Sequence, residues 1–383
     1  MEIINRKIII ATHYLVYGAP QALRDYLMNN KIKKLLFIAH PLQIDGSKSY
    51  IEIIIDGVVL SKKNFKIRSR ISFFNYFLDV FSTFFWIILQ KDHFDLFVGV
   101  DCLNCLVGII LKKIGKVKKT IFYTIDYVPE RFRNKFLNNF YHWLDKICVK
   151  YADETWNLSQ RMAEGREKIR GLNQKIYNRQ KIVPIGVWFD KVKRLPFDQI
   201  NKRQLFFLGN LSENSGVHLV LDAICEIVKE LPDFHFLVVG GGEYEKKLRD
   251  QVVTLNLEQY ITFTGWIKDR NRLDEIMADS AMAIAMYNGE VKMLTYYADP
   301  TKLKDYLSAG LPILLTNIPH NAQEIQNKKC GFIVEYNKDA VVQAILSLCK
   351  DEDTLRQYRD NAINYSRQFD WNIIFKNNLE RVL

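Results

Sequence analysis

The sequence predicts an α/β protein made of two doubly wound parallel-sheet domains. Three observations predict it. Short apolar runs alternate with helical patterns along both halves of the chain, the βαβα rhythm of parallel sheets. Runs such as Ile313-Leu314-Leu315 are apolar throughout, as strands covered on both faces must be. The alternation restarts after residue 186, so the 383 residues divide into two parts, each long enough for its own core.

In order, Lys7–Thr12 reads as a strand, Gly18–Met28 as a helix after a glycine turn, and Lys34–Ala39 as a second strand. The Asp56-Gly57 pair between β-rich runs at 51–60 predicts a hairpin. Phe94–Val100 and Lys119–Ile125 are strands separated by a helix at Leu103–Lys113. Arg131–Lys150 is a long amphipathic helix whose apolar residues are Phe132, Phe136, Phe140, Trp143, Leu144 and Ile147. Glu154–Leu158 and Lys181–Pro184 complete the first half. Pro184-Ile185-Gly186 marks a crossover into the polar, basic segment Lys191–Arg203. Leu205–Leu208, His235–Val239, Tyr260–Thr264, Met282–Met286 and Ile313–Thr316 are the later strands, with helices at Val217–Glu230 and Glu243–Leu255. The expected domains are 1–186, 187–365 and a last helix within 366–383. Ligands of such sheets sit beyond the carboxyl ends of the strands, which for two facing domains means a cleft between them.

Residues 71–90 hold six phenylalanines and one tryptophan, yet Ser72, Asn75, Asp79 and Ser82 recur at helical spacing on one side. A polar stripe with a central Asp argues against a spanning helix. Two readings remain: a helix packed on the sheet, or one that dips into a membrane interface. Lys62, Lys63, Lys66, Arg68 and Arg70 just before it favour the second.

Hydrophobic residues make up 48% and charged residues 25%, ordinary for a soluble protein. Cys102 and Cys105 have C-x2-C spacing without a second pair or a His cluster, so they read as small buried residues rather than a zinc site. Lys7–Ala11 is too short for the apolar core of a secretory signal, so a cytosolic chain with reduced thiols is expected. Residues 1–200 carry 33 Lys and Arg against 18 Asp and Glu, whereas residues 201–383 carry 21 against 25. A basic first half suits an anionic surface, either nucleic acid or the inner leaflet of the cell membrane. The cations are dispersed and no nucleic-acid module is present, so nucleic acid is not expected as a partner.

The most informative stretch is Ala298–Leu315. Pro300 suits a helix start near Thr301, Gly310 ends the helix, and Pro312 lies just beyond. Lys302 and Lys304 in its first turn oppose the helix dipole, which points either to a bound anion or to two solvated lysines. Earlier, three strands end in glycine: Phe207-Leu208-Gly209-Asn210, Val238-Val239-Gly240-Gly241-Gly242, and Phe263-Thr264-Gly265-Trp266. Glycine lets backbone approach a ligand closely. The series fits a nucleotide-sugar pocket: two glycine loops for the phosphates, the backbone at 265–267 for the base, and an acid for the ribose.

These motifs, with Asp305-Tyr306-Leu307-Ser308-Ala309-Gly310-Leu311-Pro312-Ile313, resemble the GT-B glycosyltransferases, and among them the retaining family 4. The likeness covers the whole second half. The first half matches loosely, through Tyr17-Gly18 as the glycine loop and Val183–Val187 as the interdomain crossover. The resemblance implies that Trp371–Leu383 crosses back onto the first domain and that Asp305 binds the donor ribose. It places Ala298 where a second Glu usually contacts the sugar, and Asn210 and Ser215 where an Arg and a Lys usually meet the diphosphate. The phosphate charge would then fall to Lys302 and to the amides near Thr301, Lys302 and Leu303. Gly209, Gly240, Gly241, Trp266 and Asp299 complete the expected donor site, with Asp299 either on a sugar hydroxyl or capping the helix. Asp126, at the place of the family's first-domain His, His13 and Lys302 are the expected catalytic residues, Asp126 having helix capping or loop anchoring as its alternative. The implied activity is sugar transfer from a nucleotide-sugar donor to a glycan or lipid-linked glycan at the inner membrane face, with retention and without metal or cofactor. The alternative is a GT-B protein that binds nucleotide or glycan without transfer.

Overall fold

The computed structural model describes residues 3–42, 47–65, 72–174, 177, 179–289 and 294–383. The first half runs β1 (Lys7–Tyr14), α1 (Ala19–Asn29), β2 (Lys34–Pro41), β3 (Tyr50–Ile55), β4 (Val58–Asn64), α2 (Ser72–Ile88), β5 (Phe94–Val100), α3 (Cys102–Lys113), β6 (Val117–Thr124), α4 (Lys135–Tyr151), β7 (Glu154–Asn157), α5 (Gln160–Arg170) and β8 (Gln180–Ile182). The second runs β9 (Asn201–Leu208), α6 (Val217–Glu230), β10 (His235–Val239), α7 (Glu245–Thr254), β11 (Ile261–Gly265), α8 (Arg270–Ala278), β12 (Ser280–Ala285), α9 (Leu294–Tyr297), α10 (Thr301–Ala309), β13 (Ile313–Leu315), α11 (Ala322–Asn327), β14 (Gly331–Ile333), α12 (Lys338–Lys350), α13 (Glu352–Ser366) and α14 (Trp371–Val382).

Two compact units result: residues 1–185 together with 371–383, and residues 186–370. The first holds an eight-stranded sheet in the order β4-β3-β2-β1-β5-β6-β7-β8. Its β3 and β4 are antiparallel additions joined by a hairpin, and the other pairs are parallel. Asp56 and Gly57 turn that hairpin with φ of 50° and 80°, the two positive angles a tight two-residue loop requires. The second unit holds a six-stranded, all-parallel sheet in the order β11-β10-β9-β12-β13-β14. α14 belongs to the first unit: Phe375 packs on Tyr26 of α1 at 5.6 Å, and Arg6 donates to the Leu383 carbonyl at 3.1 Å.

Parallel strands need crossover helices on both faces, and both units bury apolar strands accordingly. Cys102 and Cys105 are buried and unbridged. Two helices of the first unit depart from the usual arrangement. α2 seats Val80, Phe84, Trp86 and Ile87 against the sheet, but its polar stripe also turns inward: Asn75, Asp79, Ser82 and Thr83 are buried, while Phe74, Phe77, Phe81 and Phe85 are exposed. α4 corrects the sequence expectation more directly. Phe136, Phe140 and Trp143 face solvent, and Asn138, His142 and Asp145 face the body. Inward polar groups find partners: Asn138 Oδ1 accepts from the Arg131 amide at 2.9 Å, and His142 Nε2 lies 2.8 Å from the Pro129 carbonyl, while His142 Nδ1 is left unbonded among the described residues. Lys66, Arg68 and Arg70 lie outside the described residues, and Lys62 pairs with Glu52 at 3.0 Å.

Asp145 holds the buried guanidinium of Arg166 on α5 through two bonds of 2.8 Å. Arg166 also donates to Asn157 at 2.6 Å and to Thr124 at 3.0 Å, which ties α4, α5, β6 and β7 together. A buried pair loses most when one partner is removed. Arg166→Met should therefore lower unfolding stability by about 3–5 kcal/mol. Arg166→Met combined with Asp145→Leu should recover part of that loss in urea titrations.

Candidate active site

Strand order in the second unit reverses between β9 and β12, the switch point where open parallel sheets bind ligands. The loops leaving β9, β10 and β11 are knitted there by backbone bonds. The Gly209 amide donates to Val239 at 3.0 Å, that of Leu211 to Gly241 at 2.9 Å, and that of Gly240 to Gly265 at 2.9 Å. A Cβ on Gly240, whose φ is 134°, would lie 1.9 Å from the Gly209 carbonyl oxygen. A Cβ on Gly216, the residue before α6, would lie 2.2 Å from the Met286 carbonyl oxygen at the end of β12. No side chain fits at either place.

α10 points its N-terminus at these loops. Tyr306 on α10 anchors it, its hydroxyl accepting from the Leu208 amide at 2.7 Å. The amides of Thr301 and Lys302, first in the helix, have no intrahelical carbonyl to bond. The Lys302 ammonium lies 4.5 Å from the Phe207 ring centre and 5.3 Å from that of Tyr287, and would touch a Cβ on Gly209 at 3.0 Å. It pairs with no carboxylate among the described residues. Burial with no counter-charge lowers its pKa to about 8, since desolvation disfavours the charged form.

Lys304 behaves differently. It is wholly buried and bonded to Asp299, which also lies 3.0 Å from His320 Nε2. Of the two first-turn lysines only Lys302 remains available to an anion. Asp299 does not cap α10, whose N-cap is Pro300. Burial raises the pKa of Asp305, against the opposing pull of Arg270 Nη2, 2.8 Å from its Oδ1. Arg270 also holds Asp274 at 2.8 Å. Leu303 departs from expectation: its side chain is core and its amide donates to Pro300 at 3.1 Å, so it offers a ligand neither. Ser215 is buried with its hydroxyl given to the Ser212 carbonyl at 2.7 Å. Asn210 and Thr301 are exposed. Trp266, 61% exposed, flanks Gly241, whose Cβ would meet the indole nitrogen at 2.9 Å. Beyond Tyr287, a cavity of about 540 Å³ is lined by Thr316, Gln326, Glu335 and Tyr336.

The first unit has its own switch point, between β1 and β5, and His13 sits there. Its Nδ1 lies 2.7 Å from Asp101 and its Nε2 3.4 Å from Asp79 on α2. Burial alone would lower its pKa, but the two carboxylates, Asp101 foremost, raise it to about 9. His40, 3.1 Å from the other Asp79 oxygen and 2.7 Å from Thr83, is driven the opposite way by burial. Asp126, after β6, is exposed and caps no helix: Asn134 caps α4, and among the described residues the Asp126 carbonyl is engaged, by Arg131 at 3.0 Å and Tyr141 at 3.1 Å. Gly18 precedes α1 in extended backbone, with nothing nearer than 3.8 Å to a Cβ, so space is left above it. Arg270, His320, Asp101 and His40 were not legible in the sequence. Their partners are distant in the chain, and only Asp79 gave a signal, as the centre of a polar stripe.

A family profile described as Glycosyl transferases group 1 matches residues 202–351. An alpha-monoglucosyldiacylglycerol synthase of Streptococcus pneumoniae is 24% identical over 232 residues, covering 55% of this chain and 51% of that one. A UDP-Gal:alpha-D-GlcNAc-diphosphoundecaprenol alpha-1,3-galactosyltransferase of Escherichia coli is 27% identical over 286 residues, covering 69% of each. The chain spans about half the length of the first curated relatives it matches. Among solved structures, Anabaena HepE in complex with UDP superposes with a TM-score of 0.68 at 15% identity, covering 98% of this chain and 99% of that one. WaaG, a glycosyltransferase involved in lipopolysaccharide biosynthesis, gives 0.63 at 13% identity, with coverage of 98% and 99%. Residues 202–351 therefore match a glycosyl transferases group 1 domain, and the chain has the GT-B fold of these solved structures.

Proposed function

We propose that the chain transfers a sugar from a nucleotide-sugar donor to a glycan or lipid-linked glycan at the inner face of the cell membrane, with retention of anomeric configuration. The observation that carries this is Lys302: a cation without a carboxylate partner among the described residues, at the N-terminus of α10, against a glycine loop that admits no side chain. The donor diphosphate lies on Lys302 and the amides of Thr301 and Lys302, beside Gly209 and Gly240. These groups stabilise the charge that develops as the nucleotide departs, so the chemistry does not call for a metal or cofactor. Trp266 and the backbone beside it take the base, and Asp305, oriented by Arg270, takes a ribose hydroxyl. His13, held by Asp101 and Asp79, and Asp126, with its free carboxylate, serve the sugar and acceptor. Support for the acceptor class comes from the Streptococcus and Escherichia relatives, whose names describe a diacylglycerol glycolipid product and a diphosphoundecaprenol-linked acceptor.

A second reading, binding without transfer, is favoured by Asn210 and Ser215, neutral where the family has cations, and by Ala298. Thermal shift with nucleoside diphosphates and their sugar conjugates, followed by turnover on the stabilising conjugate, separates the two. A shift without turnover on any acceptor supports the second, and no shift at all overturns both.

Lys302→Ala should weaken nucleoside diphosphate binding and turnover by roughly tenfold or more, the loss of one charge-assisted contact. Asp305→Ala should cost turnover by a similar factor. Wild-type values in both variants would remove the donor from this site.

Lys302 also sets a pH dependence. With its pKa at about 8, the cation is present at pH 7 and mostly lost by pH 9. Diphosphate affinity should fall about tenfold over that range, and Lys302→Arg should flatten the fall. Stability without ligand should move oppositely. The unfolded chain binds this proton more tightly, so the folded state gains stability as pH rises from about 8 towards the ordinary lysine range. Lys302→Met should therefore raise Tm at pH 7 without ligand while lowering donor affinity.

A further inference from the structure

α2, α3 and α4 lie side by side on one face of the eight-stranded sheet, so their outer faces make one surface. That surface is aromatic at both sides. On α2, Phe77 and Phe81 are 51% and 58% exposed, with Phe74 and Phe85 alongside. On α4, Phe136 and Trp143 are 78% and 56% exposed, with Phe132 before the helix and Phe140 stacked on Trp143 at 5.8 Å. Ile110 of α3 and Ile114 just past its end are exposed between them. Soluble helices do the reverse, burying aromatic residues and exposing polar ones. Here Asp79 and Asp145 are the only acids on the three helices, and both are buried on partners within the unit. The exposed ionic groups of α3 and α4 are cations, Lys113, Lys135, Lys146 and Lys150; the loop before α4 adds Arg131 and Arg133 against the exposed Asp126 and Glu130. Contiguous apolar surface of this extent marks an interaction site, and its charge decides the partner.

We infer that this surface docks the first unit onto an anionic lipid bilayer, with the aromatic rings of α2 and α4 in the interfacial layer and the α4 lysines on the lipid phosphates. Among the described residues no helix is long and apolar enough to cross a membrane, which leaves attachment in the plane of the interface. Tryptophan, phenylalanine and lysine on helices that expose no acid are the side chains such a layer accommodates. Helices of a parallel sheet run against the strands, so the exposed rings in the N-terminal halves of α2 and α4 lie towards the carboxyl ends of the strands. His13 lies at that same edge. Asp79, on the inward side of α2, contacts both His13 and His40, so the helix that meets the bilayer also holds the histidine offered to the acceptor. The inference deepens the membrane-acceptor reading and rests on it for its biological role, but not for its test.

The test is flotation of the purified chain with phosphatidylcholine vesicles, with and without about one third phosphatidylglycerol, across a salt series. The wild-type chain should float with the anionic vesicles, and salt should weaken the association. Phe77→Glu with Phe81→Glu, and separately Phe140→Glu with Trp143→Glu, should each cut the bound fraction at least about tenfold. Lys135→Glu with Lys146→Glu should remove the preference for anionic lipid. These side chains are exposed, and unchanged Tm in each variant confirms the fold. A wild-type chain that stays with neither vesicle overturns the proposal, as do variants that float like wild type. So does a dimer, seen by light scattering, that the same substitutions dissolve, because the surface then belongs to a second copy. Nucleoside diphosphate thermal shift on the same preparations reads the second unit alone. Loss of flotation with an intact shift overturns only the docking, and loss of the shift with intact flotation overturns only the donor site.

Discussion

The close approach of Gly209 and Gly240 is the constraint on which the rest of the second unit depends. Two adjacent parallel strands end at one level and their loops then touch backbone to backbone, with no room for a Cβ between them. That contact closes the carboxyl edge of the sheet into a shelf of peptide groups and leaves the rim to whatever the neighbouring helix supplies. α10 supplies a helix N-terminus and one lysine. Because Tyr306 bonds the β9 backbone, the helix keeps the same height as the shelf, and Lys302 projects over it.

The charges around this shelf divide by partner. Lys304 and Asp299 neutralise each other in the core, and Arg270 holds Asp305 and Asp274. Among the described residues, what is left over is the positive charge of Lys302 above a rim of peptide dipoles. An anion bound there meets partial charges already fixed in place, which costs less reorganisation than gathering mobile side chains. The same economy holds in the first unit, where Asp79 and Asp101 keep His13 cationic and the polar stripe of α2 is spent inward. Its exposed aromatic face is the consequence: a helix that commits its polar side to a buried cluster has only its rings left to show to the outside.

Much of the fold was legible. Apolar runs report strands covered on both faces, and Gly-ended strands report close backbone approach, because both are local consequences of side-chain volume. The closely approaching loops therefore fall where the glycines do. The orientation of α4 was not legible. Its phenylalanines and tryptophan have the spacing of a core stripe, and turning them outward requires that Asn138, His142 and Asp145 find partners on loops and helices elsewhere. Leu303 was not legible for a similar reason: its amide bonds the Pro300 carbonyl and its side chain joins the core, whatever its place in the motif.

By itself the sequence determined the two parallel-sheet units, the order of their strands' glycine loops and the helix that begins at Thr301, since these follow from hydrophobic period, proline and glycine. Only the tertiary structure decided which charges are spent and which remain. Lys302 and Lys304 are two residues apart in one helix turn and are chemically identical. One is cancelled by Asp299 in the core and the other is left open over the glycine shelf, because a charge's availability depends on what the fold brings within a few ångströms of it.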